Sequence, residues 1–140
     1  MTAPRPLDRL RDLCLALPEA TERLSHGEPS WFVRRAPQFV SYADRHHDDR
    51  VAFWAAAPAG SQRDWVARDG ARFFVPPYVG GRGWIGVYLD VGPNGVPTQA
   101  DWRDIEDIVE DAYRTVAPAT LLARLDASDR SEGTGPGGAR

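Results

Sequence analysis

The sequence contains no lysine, because all 17 of its basic residues are arginine. The chain therefore has no candidate for Schiff-base chemistry or for the lysine of a phosphate-binding P-loop. It has one cysteine, Cys14, which cannot form an internal disulfide. Its first residues lack the apolar core of a signal peptide, and no apolar run approaches the roughly 20 residues that cross a bilayer. These absences favour a cytoplasmic protein without a membrane partner.

Length and composition indicate one globular domain. The chain has 140 residues, of which 42% are hydrophobic and 26% are charged, so a core can form and wholesale disorder is excluded. We expect the domain to span residues 1–125, followed by a disordered tail over 126–140, where large apolar residues are missing. The net charge of -3 excludes a surface that is basic throughout, so any anion site must be local.

Apolar residues spaced by three and four predict helices at both ends of the chain. The first covers Leu7–Leu17. Near the other end, Thr98 and Asp101 have the spacing of a capping box before a long amphipathic helix, and a short final helix follows it. Ser61 and Asp64 have the same spacing and predict a short helix in the middle of the chain.

The period of the apolar residues changes to two between the terminal helices, which indicates β-strands. Short connections such as Arg34–Pro37 favour hairpins and therefore an antiparallel sheet. Together with the helices, this pattern predicts an α+β domain. The predicted strands are Glu22–Ser25, Ser30–Val33, Gln38–Ala43, Val51–Ala57, Phe73–Val75 and Trp84–Leu89.

Five segments form a specific pattern, namely Leu17–Glu22, His26–Val33, Phe73–Gly80, Gly83–Val87 and Ala112–Ala117. In this pattern, and in consistent order over residues 7–125, the chain resembles the MmcQ/YjbR family. The resemblance implies an α+β domain of the CyaY-like type, with helices packed on one face of an antiparallel sheet. This architecture is described for the family as a double-wing DNA-binding fold, and the family has no established reaction.

The resemblance implies DNA binding, for which arginines in or beside turns are the candidate contacts. Guanidinium groups bind phosphate through paired hydrogen bonds, and exposed aromatic rings stack on bases. We therefore hypothesise a non-enzymatic domain that binds DNA weakly. In the alternative interpretation, these arginines pair with aspartates on a solvated surface. The candidates are Arg34, Arg35, Arg72 and Arg82 for phosphate, with Trp31, Tyr42 and Tyr78 for stacking.

The segment Pro76–Gly83 supports a second hypothesis from a different class. Its prolines and glycines prevent regular strand pairing but suit a fixed loop. The glycines precede a strand, whereas those of a dinucleotide-binding motif open a helix, so no such motif is present. Tyr78, Arg82 and backbone donors could still hold a small anion. The alternative function is therefore a module that binds a protein or a small anionic ligand.

No group of residues predicts catalysis, a metal site or a cofactor. The adjacent histidines within Asp44–Asp49 point apart on an extended chain and lack distant partner ligands. Glu22, Ser25 and His26 are neighbours along a strand, where side chains alternate between faces and do not converge as a triad. We expect Cys14 to be a buried thiol. We also expect a monomer that is not an enzyme and uses no cofactor.

Overall fold

One antiparallel sheet organises the part of the chain that the computed structural model describes, residues 5–45 and 48–133. Within these residues the strands are β1 (Ala20–Ser25), β2 (Glu28–Val33), β3 (Gln38–Asp44), β4 (Val51–Ala55), β5 (Phe73–Phe74) and β6 (Ile85–Tyr88). Their order across the sheet is β1-β2-β3-β4-β6-β5. β1 to β4 thus form a meander, and β6 lies between β4 and the short edge strand β5.

Short turns set the register of the first three strands. His26 and Gly27 connect β1 to β2, and both have positive φ, 54° and 81°, as two-residue hairpin turns that match the twist of the strands require. Residues 34–37 connect β2 to β3, as the sequence predicts. The antiparallel sheet is therefore confirmed.

Four α-helices accompany the sheet within the described residues, namely α1 (Pro6–Leu15), α2 (Ser61–Arg68), α3 (Gln99–Val116) and α4 (Ala119–Gly133). The predicted capping box of α3 is confirmed, because Asp101 N–H donates to Thr98 Oγ1 at 3.1 Å and Thr98 N–H donates to Asp101 Oδ2 at 2.9 Å. The box predicted at Ser61 is wrong. Gly60 precedes α2 with a φ of 85°, and no side chain caps the helix.

The last helix is longer than the sequence predicts. α4 continues to Gly133, so residues 126–133 are helical where the sequence predicts a disordered tail. A guanidinium nitrogen of Arg114 lies 2.8 Å from Asp126 and 3.5 Å from Asp129, so ion pairs connect the extension to α3. The rest of the predicted tail, 134–140, lies outside the described residues. No helix in the described ranges has the length and apolar character of a membrane span.

One face of the sheet, which we call the helix-side face, packs against α1 and α3. Fully buried aromatic side chains fill its centre, including Trp31, Phe39 and Phe53. The ring of Tyr113 on α3 meets Phe39 edge-on at 5.6 Å, and its hydroxyl donates to the Pro18 carbonyl at 2.7 Å. Helices packed against one face of an antiparallel sheet confirm the α+β fold.

Candidate functional site

A cavity of about 650 Å³ lies on the opposite face of the sheet, beside the Pro76–Gly83 loop. We call it the aromatic pocket and this face the pocket-side face. The cavity brings Tyr78 and Arg82, the residues predicted to hold a ligand, into one site. It is lined by Gln38, Ser41 and Trp54 from the sheet, by Tyr78, Val79, Arg82 and Trp84 from the loop and the residue after it, and by His26 and Pro37 from the two hairpin turns.

Ser41 and Trp54 form the centre of the pocket floor. They are direct partners in the register of β3 and β4, so their side chains are neighbours on one face. The hydroxyl oxygen of Ser41 lies 3.3 Å from that of the fully buried Ser30. On the far side of Trp54, the Phe74 ring covers Gly86 so closely that an added Cβ would lie 2.4 Å from it. Packing on both sides therefore fixes the floor.

A β-bulge turns Gln38 towards the pocket. The pairing of β2 with β3 shifts between Trp31 and Phe32, which leaves Phe39 as an extra residue in β3. Regular alternation would place Gln38 and Ser41 on opposite faces, because they are three residues apart. The bulge brings both into the pocket lining.

α2 holds the Pro76–Gly83 loop beside the sheet. The Gln62 amide nitrogen donates to the carbonyl oxygen of Gly80 at 2.9 Å and to that of Trp84 at 2.6 Å. Gly80 packs so tightly on Val75 that an added Cβ would lie 2.5 Å from its side chain. These contacts agree with the fixed loop that the sequence predicts.

Arg82 gives the pocket a positive charge that has no carboxylate partner among the described residues. Its guanidinium carbon lies 5.4 Å from the centre of the Trp84 ring, so the cation rests beside an aromatic wall. Among the lining residues that the structure describes there is no Asp or Glu, and one further side chain can become cationic, that of His26. The pocket is therefore complementary in charge to an anion.

Arg72, one of the four arginines predicted to contact DNA, is committed to the fold. Its side chain is only 14% exposed, and Nη1 lies 3.2 Å from Asp101 and 3.0 Å from Asp104 of α3. Its guanidinium also stacks over the Phe73 ring at 4.6 Å. The prediction that Arg72 offers its charge to phosphate loses its basis in a free cation, because two carboxylates on α3 already neutralise it.

The other predicted arginines fall into two groups. Arg34 Nε lies 2.7 Å from Glu19, whose second carboxylate oxygen lies 2.6 Å from Arg124. The hydrogen bond from Arg34 lowers the pKa of Glu19 below its usual range. Arg35 and Arg82 form no ion pair within the described ranges. The structure therefore leaves two of the four predicted guanidinium groups free.

The predicted stacking residues differ sharply in exposure. Trp31 and Tyr42 are buried on the helix-side face of the sheet, away from the pocket, so both predictions are wrong. Tyr78, in contrast, is 89% exposed. Two aromatic residues without a predicted ligand role, Trp54 and Trp84, line the pocket instead. Each lies in a predicted strand, but its side-chain direction depends on the pairing of the strands.

Comparison with known proteins identifies the family. A family model described as YjbR matches residues 15–115. The chain belongs to the YjbR family. No curated protein and no solved structure matches it. In this YjbR domain, the matched segment includes the whole lining of the aromatic pocket, whereas α4 lies beyond it.

The remaining candidate sites of the YjbR domain do not assemble among the residues that the structure describes. Glu22 lies 2.8 Å from Arg11, so its carboxylate is engaged by α1 rather than by His26. Within residues 5–45 and 48–133, no group of three or more His, Cys, Asp or Glu could hold a metal ion. His46 and His47, the other metal candidates, lie outside those residues. Burial raises the pKa of the Cys14 thiol well above its usual value, which keeps it protonated and unreactive.

Proposed function

We propose that this YjbR domain is a non-enzymatic binding module that holds a small anionic ligand in the aromatic pocket. The observation that carries the proposal is Arg82, whose guanidinium has no carboxylate partner within residues 5–45 and 48–133 and lies at a cavity whose described lining contains no carboxylate. A cation without a partner favours an anionic occupant, because a charge-assisted hydrogen bond is about twice as strong as a neutral one. The loop that carries Arg82 is anchored, so little ordering accompanies binding.

Size and lining also support a small ligand. Cavities that bind small molecules usually measure about 300–1,000 Å³ and combine apolar walls with a few polar groups. The aromatic pocket measures about 650 Å³. Its lining combines two indole rings with the polar side chains of Gln38 and Ser41. Such a lining suits an organic anion better than a bare inorganic one.

DNA binding, which the family resemblance implies, has weaker support. Arg34 and Arg72 are neutralised by carboxylates, which leaves Arg35 and Arg82 of the four candidates. Non-specific binding to a duplex draws on several phosphate contacts, and the net charge of -3 opposes a polyanion. Of these two free guanidinium groups, that of Arg82 lines the aromatic pocket and that of Arg35 does not, and one cation in a pocket is better matched to a small anion than to a duplex.

Titration by two-dimensional NMR tests the proposal, with the indole N–H signals of Trp54 and Trp84 as reporters. We expect phenyl phosphate to shift these signals and neutral phenol to shift them weakly. Arg82→Gln should weaken phenyl phosphate binding about tenfold, the loss expected for one charge-assisted contact. Arg103→Gln is the matched control, because Arg103 is an exposed arginine on α3 outside the pocket. Equal affinity in wild type and Arg82→Gln would contradict the proposal.

A DNA titration separates the two functions. Fluorescence anisotropy with single-stranded and duplex oligonucleotides should show no binding at low salt if the pocket serves small anions alone. Duplex binding that falls steeply with salt and is lost in Arg35→Gln but kept in Arg82→Gln would favour the DNA interpretation.

A further inference from the structure

Tyr78 is held in a backbone conformation that is unfavourable for its residue type. Its φ is 65°, in the left-handed region that bulky side chains rarely occupy. The N–H of Val79 donates to the Pro77 carbonyl at 2.6 Å, so Tyr78 is the centre of a three-residue turn. A turn of this kind with positive φ at its centre is rare and strained.

The loop around Tyr78 maintains this strain. Pro76 is buried, and its carbonyl accepts from Gly80 N–H at 3.0 Å, which closes the turn. Gln62 holds Gly80 from α2 at 2.9 Å. Strained residues persist where the surrounding structure determines their conformation, and they concentrate at binding sites.

The strain at Tyr78 is not offset by burial of its ring. Its side chain is 89% exposed, and its ring and hydroxyl make no ring contact or hydrogen bond within residues 5–45 and 48–133. The ring nevertheless lines the aromatic pocket together with Trp54, Trp84 and Arg82. An exposed flat ring beside two indoles and a free cation matches a ligand that is itself flat and anionic.

We propose that Tyr78 is a specificity-determining residue that covers the flat aromatic ring of a bound aryl anion while Arg82 binds its charged group. This inference rests on the proposed function and names the ligand class for the same pocket, namely a planar aromatic ring that carries a phosphate or carboxylate. An aliphatic anion of equal charge keeps the contact with Arg82 but loses the contact between ring faces. The selectivity for aromatic rings therefore comes from Tyr78.

Phenyl phosphate and cyclohexyl phosphate test the inference, because both carry one phosphate on a six-membered ring and only the first ring is flat. Binding is measured from the indole N–H signals of Trp54 and Trp84. We expect wild type to prefer phenyl phosphate by about fivefold or more, as one stacked ring provides. Tyr78→Ala should remove the preference, and Tyr78→Phe should keep it within about twofold. Leu24→Ala, which removes an exposed apolar side chain on β1, is the control and should change neither affinity.

The results separate this inference from the proposed function. A preference for phenyl phosphate that survives Tyr78→Ala overturns the role of Tyr78, and so does equal binding of both esters by wild type. In either case, weaker binding of both esters by Arg82→Gln would leave the anion site standing. If neither ester shifts the indole signals of wild type, both proposals fail.

Discussion

Aromatic residues on the two faces of the sheet differ in exposure and in the hydrogen-bond partners of their polar atoms. On the helix-side face, the Trp31 indole donates to Glu22 at 3.0 Å and the Tyr113 hydroxyl donates to Pro18 at 2.7 Å, so these buried polar atoms are satisfied. On the pocket-side face, the Tyr78 ring is exposed and its hydroxyl has no partner among the described residues. Aromatic content alone therefore does not separate the core from the surface that we propose to bind a ligand, whereas exposure and a hydroxyl without a partner set Tyr78 apart.

Arginines differ between the two regions in the same way. Arg72 lies between the sheet and α3 with two carboxylates within 3.2 Å, and its charge is already used. Arg82 lies beside an indole and has no carboxylate partner among the described residues. The state of pairing therefore separates an arginine that stabilises the fold from one that we propose to bind a ligand, and substitution of each member of these pairs tests this difference.

The largest expected effect on stability comes from removing a buried aromatic ring from the helix-side face. Phe53→Ala should lower the free energy of unfolding by about 3–5 kcal/mol, because the fully buried ring leaves a cavity in the centre of the sheet. Tyr78→Ala should change it by less than about 0.5 kcal/mol, as for exposed substitutions in general. Urea denaturation of both variants gives the comparison. Similar losses in the two variants would mean that Tyr78 belongs to the core.

The second largest expected effect is the difference in stability between substitutions of Arg72 and Arg82. Arg72→Gln should cost about 2 kcal/mol, somewhat less than a completely buried pair, because it leaves Asp101 without its cation and Asp104 with the longer Arg68 pair at 3.6 Å. Arg82→Gln should stay within about 0.5 kcal/mol of wild type. Adding Asp104→Asn to Arg72→Gln should cost less than the sum of the two single changes. Strict additivity in this urea-measured cycle would exclude the ion pair as the cause.

A smaller expected effect is an increase in stability when the backbone strain at Tyr78 is relieved. Tyr78→Gly should raise the free energy of unfolding by up to about 1 kcal/mol, because glycine adopts positive φ without strain. Tyr78→Ala is the control, since alanine keeps the strain and loses the same ring. Thermal and urea unfolding should place the glycine variant above the alanine variant. An alanine variant more stable than the glycine variant would mean that the turn at Tyr78 is not strained.

The smallest effect concerns acid stability at Glu19. The hydrogen bond from Arg34 lowers the pKa of Glu19, so the stabilisation is complete above the ordinary glutamate range and is lost as pH falls through the lowered pKa. Arg34→Gln should raise this pKa and weaken the loss of stability in acid. The side-chain carboxyl signal of Glu19, followed by NMR against pH, measures the shift. An unchanged pKa would show that the exposed pair is not formed in solution.

Local sequence signals predicted most of the fold. Alternating residues, the Arg34–Pro37 turn and the Thr98 capping box each depend on near neighbours, so strands, hairpin and α3 were predictable. The beginning of α2 was not predictable, because no side chain caps this helix and the residue before it, Gly60, has a left-handed backbone conformation. The length of α4 was not predictable either, because its last residues lack apolar spacing and meet α3 through an ion pair with Arg114.

The candidate site was predictable only where it is continuous in sequence. Tyr78 and Arg82 lie on one loop, whose composition marks it. The pocket floor could not be found, because a bulge decides the direction of Gln38. Nor could the pairing of Arg34 and Arg72, whose carboxylate partners lie 15 and 32 residues away along the chain.

The double hydrogen bond from Gln62 has a kinetic consequence. One amide on α2 fastens the loop both at Gly80 and at Trp84, yet α2 contributes no residue to the aromatic pocket. For the ligand that we propose, the rate of release should therefore depend on Gln62, a side chain outside the pocket lining. Shortening it in Gln62→Asn should loosen the loop and speed ligand exchange, so that residence time changes separately from the chemistry of recognition.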